Sequence, residues 1–325
     1  MHAWHKTLRE RLLQDPARLP HALLLSGPPG IGKQSFAMTL AHALLCATPG
    51  PDGEPCGQCQ GCHWFAQATH PDFQRIEPEV DEETGKQRPE IRIEQVRNLV
   101  DFFALTAHQR GWRIAVIAPA ERLNTAAANG LLKTLEEPPP RSLLLLISDH
   151  PRRLPATVRS RCQQVAMPIP ARSEALDWLV AQRVPVDQAA ALLDEAGGAP
   201  LAALALHGDT ARGERRARCL TALVGLRPEA LLDLAAGKDQ LVETHGWLRR
   251  WLHDLISQSL AGQVHFFATH REDLQRLAAR ADLARLLALQ AQLDNAAHSL
   301  THPLNATLVM EGWFIAYMDC FLMPS

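Results

Sequence analysis

The stretch Gly27-Pro-Pro-Gly-Ile-Gly-Lys33 indicates the fold class, because it matches the glycine-rich turn with which many proteins hold nucleotide phosphates. The apolar run from Ala22 to Leu25 precedes it and is typical of a buried parallel strand, and Ser35 to Leu45 is predicted to be a helix. A strand, a glycine-rich turn and a helix in this order aim backbone N–H groups and the positive end of the helix at phosphate. The sequence therefore predicts a phosphate loop.

The candidate nucleotide-binding residues of this loop are Gly27, Gly30, Gly32, Lys33 and Gln34. The last of them departs from the pattern, in which Ser or Thr follows the lysine and its hydroxyl holds magnesium. The next residue is a serine, but one step along a helix turns a side chain by about 100 degrees, away from the phosphates. ATP binding is left open, and ATP turnover is disfavoured.

A second departure lies after the predicted strand Arg113 to Ile117. In an active P-loop ATPase this strand would end in Asp-Glu, the first residue supporting magnesium and the second polarising the attacking water. Here the strand is followed by Ala118 and Pro119, whose side chains neither bind a cation nor accept a proton. Glu121 lies beyond the proline and is a poor substitute. Hydrolysis at this site therefore lacks its chemistry.

Composition fits a globular, multi-domain protein of 325 residues. No apolar run approaches the roughly 18 residues that suggest a membrane span. No export signal is recognisable at the amino terminus, so we expect a cytoplasmic protein. The formal net charge of −2 gives no overall attraction to nucleic acid, so contact with DNA would need a local patch or a partner.

Four of the seven cysteines cluster after the first helix: Cys46, Cys56, Cys59 and Cys62. Four thiolates suit tetrahedral zinc, so we predict a structural, non-catalytic zinc site. Reduced thiols without a metal and a redox pair are the alternatives, and the second is weaker because nothing nearby resembles a thioredoxin active site.

The segment Leu154 to Cys162 carries Arg159 and Arg161 on a predicted short helix. A guanidinium is always charged and forks onto phosphate oxygens, so such a residue can stabilise charge on a nucleotide held by a neighbouring subunit. Taken alone, the two arginines are more typical of a solvated surface or of an intramolecular salt bridge.

Several motifs together resemble the clamp-loader subunits of bacteria, within the AAA+ ATPases. They are the run Asn124-Thr-Ala-Ala-Ala-Asn-Gly-Leu-Leu-Lys-Thr-Leu-Glu-Glu-Pro-Pro139, the pair Leu154-Pro155, the triplet Ser160-Arg161-Cys162, the four-cysteine insert and His21-Ala-Leu-Leu-Leu-Ser-Gly-Pro-Pro-Gly30. The resemblance is strong over residues 1 to 208 and rests on length and helical character beyond them. The missing acidic pair and the altered loop point to a subunit other than the ATP-hydrolysing motor.

The resemblance implies roles for individual residues. Arg161 would be an arginine finger acting in trans on ATP bound by an adjacent motor subunit, with Ser160 and Cys162 setting its short helix. Ser148 falls at the sensor position after an apolar strand. Residues 197–202 match the start of the sensor-two helix, but Pro200 and Leu201 stand where an arginine is expected. All of these departures weaken self-catalysis.

The resemblance also implies an architecture and partners. We expect an α/β fold: an AAA+ P-loop domain with a parallel sheet over residues 1–166 and a zinc insert at 46–62, a small helical lid over 167–208, and an all-helical collar over 209–325. The partners would be the gamma or tau motor subunits and the delta subunit, and, through this hetero-oligomer, the sliding clamp and primed DNA. The assembly is the DNA polymerase III holoenzyme, a nucleotidyltransferase; no membrane is involved.

Two other functions stay open at this stage. The chain could be the ATP-hydrolysing motor itself, or a related DNA-processing AAA+ ATPase, with its acidic groups supplied from elsewhere. It could also be a zinc-dependent nucleic-acid binder, although basic and aromatic residues do not alternate around Cys56 to Cys62.

Overall fold

The computed structural model describes residues 2–50, 53–81, 83–105, 111–227, 238–299 and 305–322. Parts of the predicted zinc insert (51 and 52) and of the predicted collar (228–237, 300–304 and 323–325) lie outside the described residues. The chain divides into two compact units, Met1–Glu174 and Ala175–Ser325. The finer separation of a lid from a collar stays a prediction.

The first unit is built on five parallel strands in the order β2-β3-β4-β1-β5. Central strands of such a sheet are covered on both faces and read as continuous apolar runs, which is why the runs of leucine and isoleucine predicted three of them. The shorter β2 and β5 were not predicted. The strands are β1 (Ala22–Ser26), β2 (Phe73–Ile76), β3 (Arg113–Ile117), β4 (Ser142–Ser148) and β5 (Gln163–Ala166).

Helices cover this sheet. Those of the first unit are α1 (Lys6–Leu13), α2 (Lys33–Leu45), α3 (Gln60–Ala66), α4 (Ile93–Ala104), α5 (Thr125–Glu136) and α6 (Ala156–Arg159), and α7 (Arg172–Ala181) begins at its end. The apolar sides of α4 and α5 pack with Leu24, Ile117 and Leu146 of the sheet. Asn124 caps α5 as predicted, because its side chain accepts a hydrogen bond from the backbone N–H of Ala127 at 2.8 Å. The predicted parallel α/β sheet is thus confirmed.

The second unit is helical throughout its described residues after α7. Its helices are α8 (Val186–Glu195), α9 (Pro200–Gly208), α10 (Thr210–Gly225), α11 (Lys238–Ala261), α12 (Arg271–Ala278), α13 (Leu283–Ser299) and α14 (Ala306–Asp319). Leu248, Trp251, Leu252 and Leu255 recur at helical spacing on α11 and are fully buried. On α13, Leu286 is buried and the adjacent Leu287 is exposed.

A buried carboxylate at the end of α8 connects this helix to α10 and α11. Glu195 is 3% exposed, and its carboxylate lies 3.1 Å from Arg212 Nη1 and 2.9 Å from Arg216 Nε. The indole N–H of Trp247 donates to the same carboxylate at 3.3 Å, and Arg250 donates to the backbone carbonyl of Glu195. Several donors therefore compensate the burial of one acid.

Among the described helices, none is by itself long and apolar enough to cross a membrane. The bent pair of α8 and α9 meets that criterion only when the two are counted together.

We expect Glu195→Ala to lower the free energy of unfolding by about 3 kcal/mol, because removing one partner leaves buried guanidinium groups without their counter-charge. The measurement is urea denaturation followed by circular dichroism and by tryptophan fluorescence, to which Trp247 contributes. The exposed Glu214 on α10 supplies the matched control, and Glu214→Ala should change stability by less than about 0.5 kcal/mol. Equal effects of the two substitutions would contradict this interpretation.

Candidate functional site

The candidate site lies at the carboxyl edge of the sheet, where β1 and β4 end side by side. In the parallel ladder Ser26 pairs with Ser148, so the chain leaves both strands at the same level. The phosphate loop follows β1, and Asp149 follows β4. Ligands of open α/β sheets bind outside this edge, so the position fits the predicted loop.

The loop has the backbone that its glycines predict. Gly32 has φ of +90°, in the left-handed region that favours glycine, and immediately precedes α2. A Cβ on Gly27 would lie 2.8 Å from the carbonyl oxygen of Met167, so only glycine fits there. The helix begins at Lys33, two residues earlier than predicted, which brings the lysine into its first turn.

Lys33 is almost fully buried, and its ammonium is already occupied by oxygens of its own chain. It donates hydrogen bonds to the carbonyls of Gly27 at 2.8 Å and Pro28 at 2.6 Å. Its Nζ also lies 2.5 Å from Oδ1 of Asp149. Three oxygens of the chain itself therefore surround the ammonium.

The positions around the loop depart from the P-loop pattern as the sequence indicated. The Gln34 amide lies 3.3 Å from Oε1 of Glu77. Ala118 and Pro119 follow β3 directly, as the sequence indicated. Glu121 is occupied in another way, because its carboxylate accepts a hydrogen bond from the backbone N–H of Asp149 at 3.1 Å. It thereby positions the acid that pairs with the loop lysine.

Ser148, at the predicted sensor position, is fully buried at the end of β4. Its hydroxyl accepts a hydrogen bond from the backbone N–H of His150 at 3.1 Å. The side chain therefore stabilises the turn that presents Asp149. Asp149 itself was not singled out from the sequence, although the rule that parallel strands end at one edge would have identified it.

The arginine segment forms the predicted short helix, α6, and the turn after it. Ser160 ends the helix, and its hydroxyl donates to the carbonyl of Thr157 at 3.2 Å. The Arg161 guanidinium donates from Nη1 to the same carbonyl at 3.0 Å and from Nη2 to the carboxylate of Glu136 on α5. Its side chain is 35% exposed. The Cys162 thiol is buried, and burial raises its pKa to about 11.

The four clustered cysteines converge as the sequence predicted. Their sulfurs lie within 4.8 Å of one another, and the pairs Cys46–Cys59 and Cys56–Cys62 are each 3.9 Å apart. Tetrahedral bonds of about 2.3 Å from zinc to sulfur place the sulfurs about 3.8 Å apart, so the spacing fits one zinc ion. Cys46 ends α2, and Cys59 caps α3, which carries Cys62.

The four thiols of the cluster have different surroundings. Hydrogen bonds from the Thr48 side chain and from the backbone N–H groups of Gln58 and Cys59 lower the pKa of the Cys56 thiol. Burial raises the pKa of the thiols of Cys46 and Cys62. Because zinc binds thiolates, a bound ion would displace the protons of these buried thiols.

Comparison with known proteins gives the family. The family model described as DNA polymerase III, delta subunit matches residues 3–170, and the model for its C terminal matches residues 212–317. DNA polymerase III subunit delta' of Pseudomonas aeruginosa is 36% identical over 98% of this chain and 97% of its own length. The chain belongs to the DNA polymerase III delta-prime family.

Two other similarities are weaker or shorter. DNA polymerase III subunit tau of Escherichia coli is 36% identical, but over 45% of this chain and 21% of its own length. A solved DNA polymerase III gamma subunit-related protein from Thermotoga maritima covers 98% of this chain and 99% of its own, with 18% identity and a TM-score of 0.43. With this TM-score, the solved structure says nothing about the site.

Membership of the delta-prime family confirms the resemblance to clamp-loader AAA+ subunits and its indication of a subunit other than the motor. The structure brings Gly27, Lys33 and Asp149 together at one edge of the sheet. It places Arg161 in a separate contact with Glu136. The predicted roles of the loop residues and of Arg161, Ser160 and Cys162 stay predictions.

Proposed function

We propose that this delta-prime family member does not hydrolyse ATP, and that it supplies Arg161 to ATP bound by a neighbouring motor subunit. In this way it helps a clamp loader place the sliding clamp on primed DNA. Its partners would be the gamma or tau motor subunits and the delta subunit. Such a hetero-oligomer acts in the cytoplasm, where the chromosome is replicated.

The observation that carries the first half of the proposal is the set of contacts around Lys33. Two loop carbonyls and the Asp149 carboxylate surround an ammonium that would otherwise meet the β- and γ-phosphates. A nucleotide would have to replace all three oxygens. Even then, Gln34 offers no hydroxyl to magnesium, and Ala118 and Pro119 offer no base to water.

The geometry of Arg161 supports the second half. A guanidinium has five N–H donors in a planar fork, and its contacts with Thr157 and Glu136 use two of them. The remaining donors are available to phosphate oxygens, and the side chain is partly open to solvent. An arginine held in this way loses little conformational freedom when a partner's triphosphate arrives.

The isolated chain should show no ATP turnover above background, and Lys33→Ala should leave this unchanged, because the site lacks a magnesium ligand and a general base. Phosphate release from ATP in the presence of magnesium and primed DNA is the measurement. Turnover that Lys33→Ala abolishes would favour the alternative of an ATP-hydrolysing motor subunit.

Arg161→Ala should lower ATP turnover at the adjoining motor site by about 10³-fold or more, as loss of an arginine finger does. The readout is DNA-stimulated ATPase of the clamp loader assembled with gamma and delta subunits. Arg152→Ala, which removes an exposed arginine from the turn before α6, is the matched control. Circular dichroism and gel filtration should show intact folding and assembly. An unchanged rate in the Arg161 variant would remove this residue from the mechanism.

We also propose that the four-cysteine cluster binds one structural zinc ion. Metal analysis of the purified chain should give one zinc per molecule. Cys59→Ala should lose the metal and destabilise the module, because this residue supplies a ligand and also accepts hydrogen bonds from the N–H groups of Ala47 and Cys62. Cys320→Ala, which removes a distant buried thiol, should retain it. A purified wild-type protein free of zinc would refute the assignment.

A further inference from the structure

Three aromatic rings at the start of the chain lie against the phosphate loop. We call His2, Trp4 and His5 the N-terminal cap; the last two belong to the 3-10 turn Ala3–His5 that precedes α1. The rings of His2 and Trp4 are stacked, with centroids 4.6 Å apart and planes 8° from parallel. The Trp4 indole N–H donates to the carbonyl of Ile31, inside the loop, at 3.0 Å.

The cap fills the space beside the last glycine of the loop. A Cβ on Gly32 would lie 2.6 Å from Cδ2 and 3.1 Å from Nε2 of His2, and 3.3 Å from Cε1 of His5. These distances are closer than ordinary van der Waals contact. The backbone N–H of this glycine belongs to the group of donors that a phosphate loop directs at its ligand. The two imidazole rings therefore occupy the space at the Cα of Gly32, next to this donor.

His5 shows that the closed position of the cap has an energetic cost. The residue is fully buried, and neither of its ring nitrogens has a hydrogen-bond partner among the described residues. Its ring meets Phe36 of α2 edge-on, with centroids 5.4 Å apart. Unpartnered buried nitrogens oppose this arrangement, while apolar packing and the Trp4 hydrogen bond favour it.

We propose that the N-terminal cap is a lid on the phosphate loop, which has to move aside before a nucleoside triphosphate can enter. The lid would cover the loop next to Ile31 and Gly32. The Lys33–Asp149 ion pair would restrict the loop in a second way, because it occupies the lysine ammonium. The two restrictions use different contacts, because the cap contacts Ile31 and Gly32. The Lys33 ammonium instead contacts the carbonyls of Gly27 and Pro28 and the carboxylate of Asp149. The proposal concerns nucleotide entry into this chain and does not rest on the trans role of Arg161.

The test is equilibrium binding of a fluorescent ATP analogue with magnesium to the full chain. His2→Ala with Trp4→Ala should tighten binding at least tenfold relative to wild type. Trp4→Phe, which keeps the ring but removes the hydrogen-bond donor, should give a smaller gain and is the variant least apt to disturb folding. Lys33→Ala should abolish the gain. Trp112→Ala, which removes a partly exposed tryptophan beside β3, is the control and should give none.

The effects of the cap and of the Lys33–Asp149 ion pair can be separated by repeating the titrations in an Asp149→Asn background, which removes the charged carboxylate from the pair. If the lid exists, opening the cap tightens binding in at least one of the two backgrounds. The proposal is overturned if the cap variants, folded by circular dichroism, bind no better than their parent proteins in both. It is also overturned if wild type already binds the analogue as tightly as they do. Neither result bears on the Arg161 experiment, which is read from a partner's ATPase.

Discussion

The parallel pairing of β1 with β4 is the constraint on which the site depends. Because Ser26 and Ser148 are in register, the segments that follow them emerge together at one edge of the sheet. One segment turns through the glycine-rich loop into α2 and carries Lys33, and the other carries Asp149. The register of the sheet thus brings an ammonium and a carboxylate into contact.

The backbone of the loop has the form of a phosphate loop, while its polar side chains are engaged within the chain. Glycine conformations, the strand before the loop and the helix after it all match a phosphate cradle. The polar groups around it contact one another: Lys33 pairs with Asp149, the backbone N–H of Asp149 donates to Glu121, and Gln34 contacts Glu77. The Arg161 side chain is 35% exposed, and its contacts with Thr157 and Glu136 use two of its five N–H donors. We infer that a chain with such a site contributes to ATP chemistry in an assembly through this arginine.

The elements that could be predicted from the sequence are those with strong local signals. Apolar runs predicted β1, β3 and β4, the cysteine spacing predicted the cluster, and Asn124 predicted the start of α5. What could not be predicted depends on contacts between distant segments. The short strand β2, Phe73-Gln-Arg-Ile76, has no distinctive pattern, and it forms by pairing with β3. Glu136 and Asp149 become partners of Arg161 and Lys33 only after folding. Leu287 fits an apolar stripe but lies on the exposed side of α13.

The most direct measurement of the central claim is a structure of the assembled clamp loader with a non-hydrolysable ATP analogue and primed DNA. The account predicts that the Arg161 guanidinium lies within hydrogen-bond distance of the γ-phosphate in the adjoining motor subunit, while Lys33 remains paired with Asp149. A triphosphate with magnesium in this chain's own loop, with Arg161 facing no neighbouring nucleotide, would contradict it.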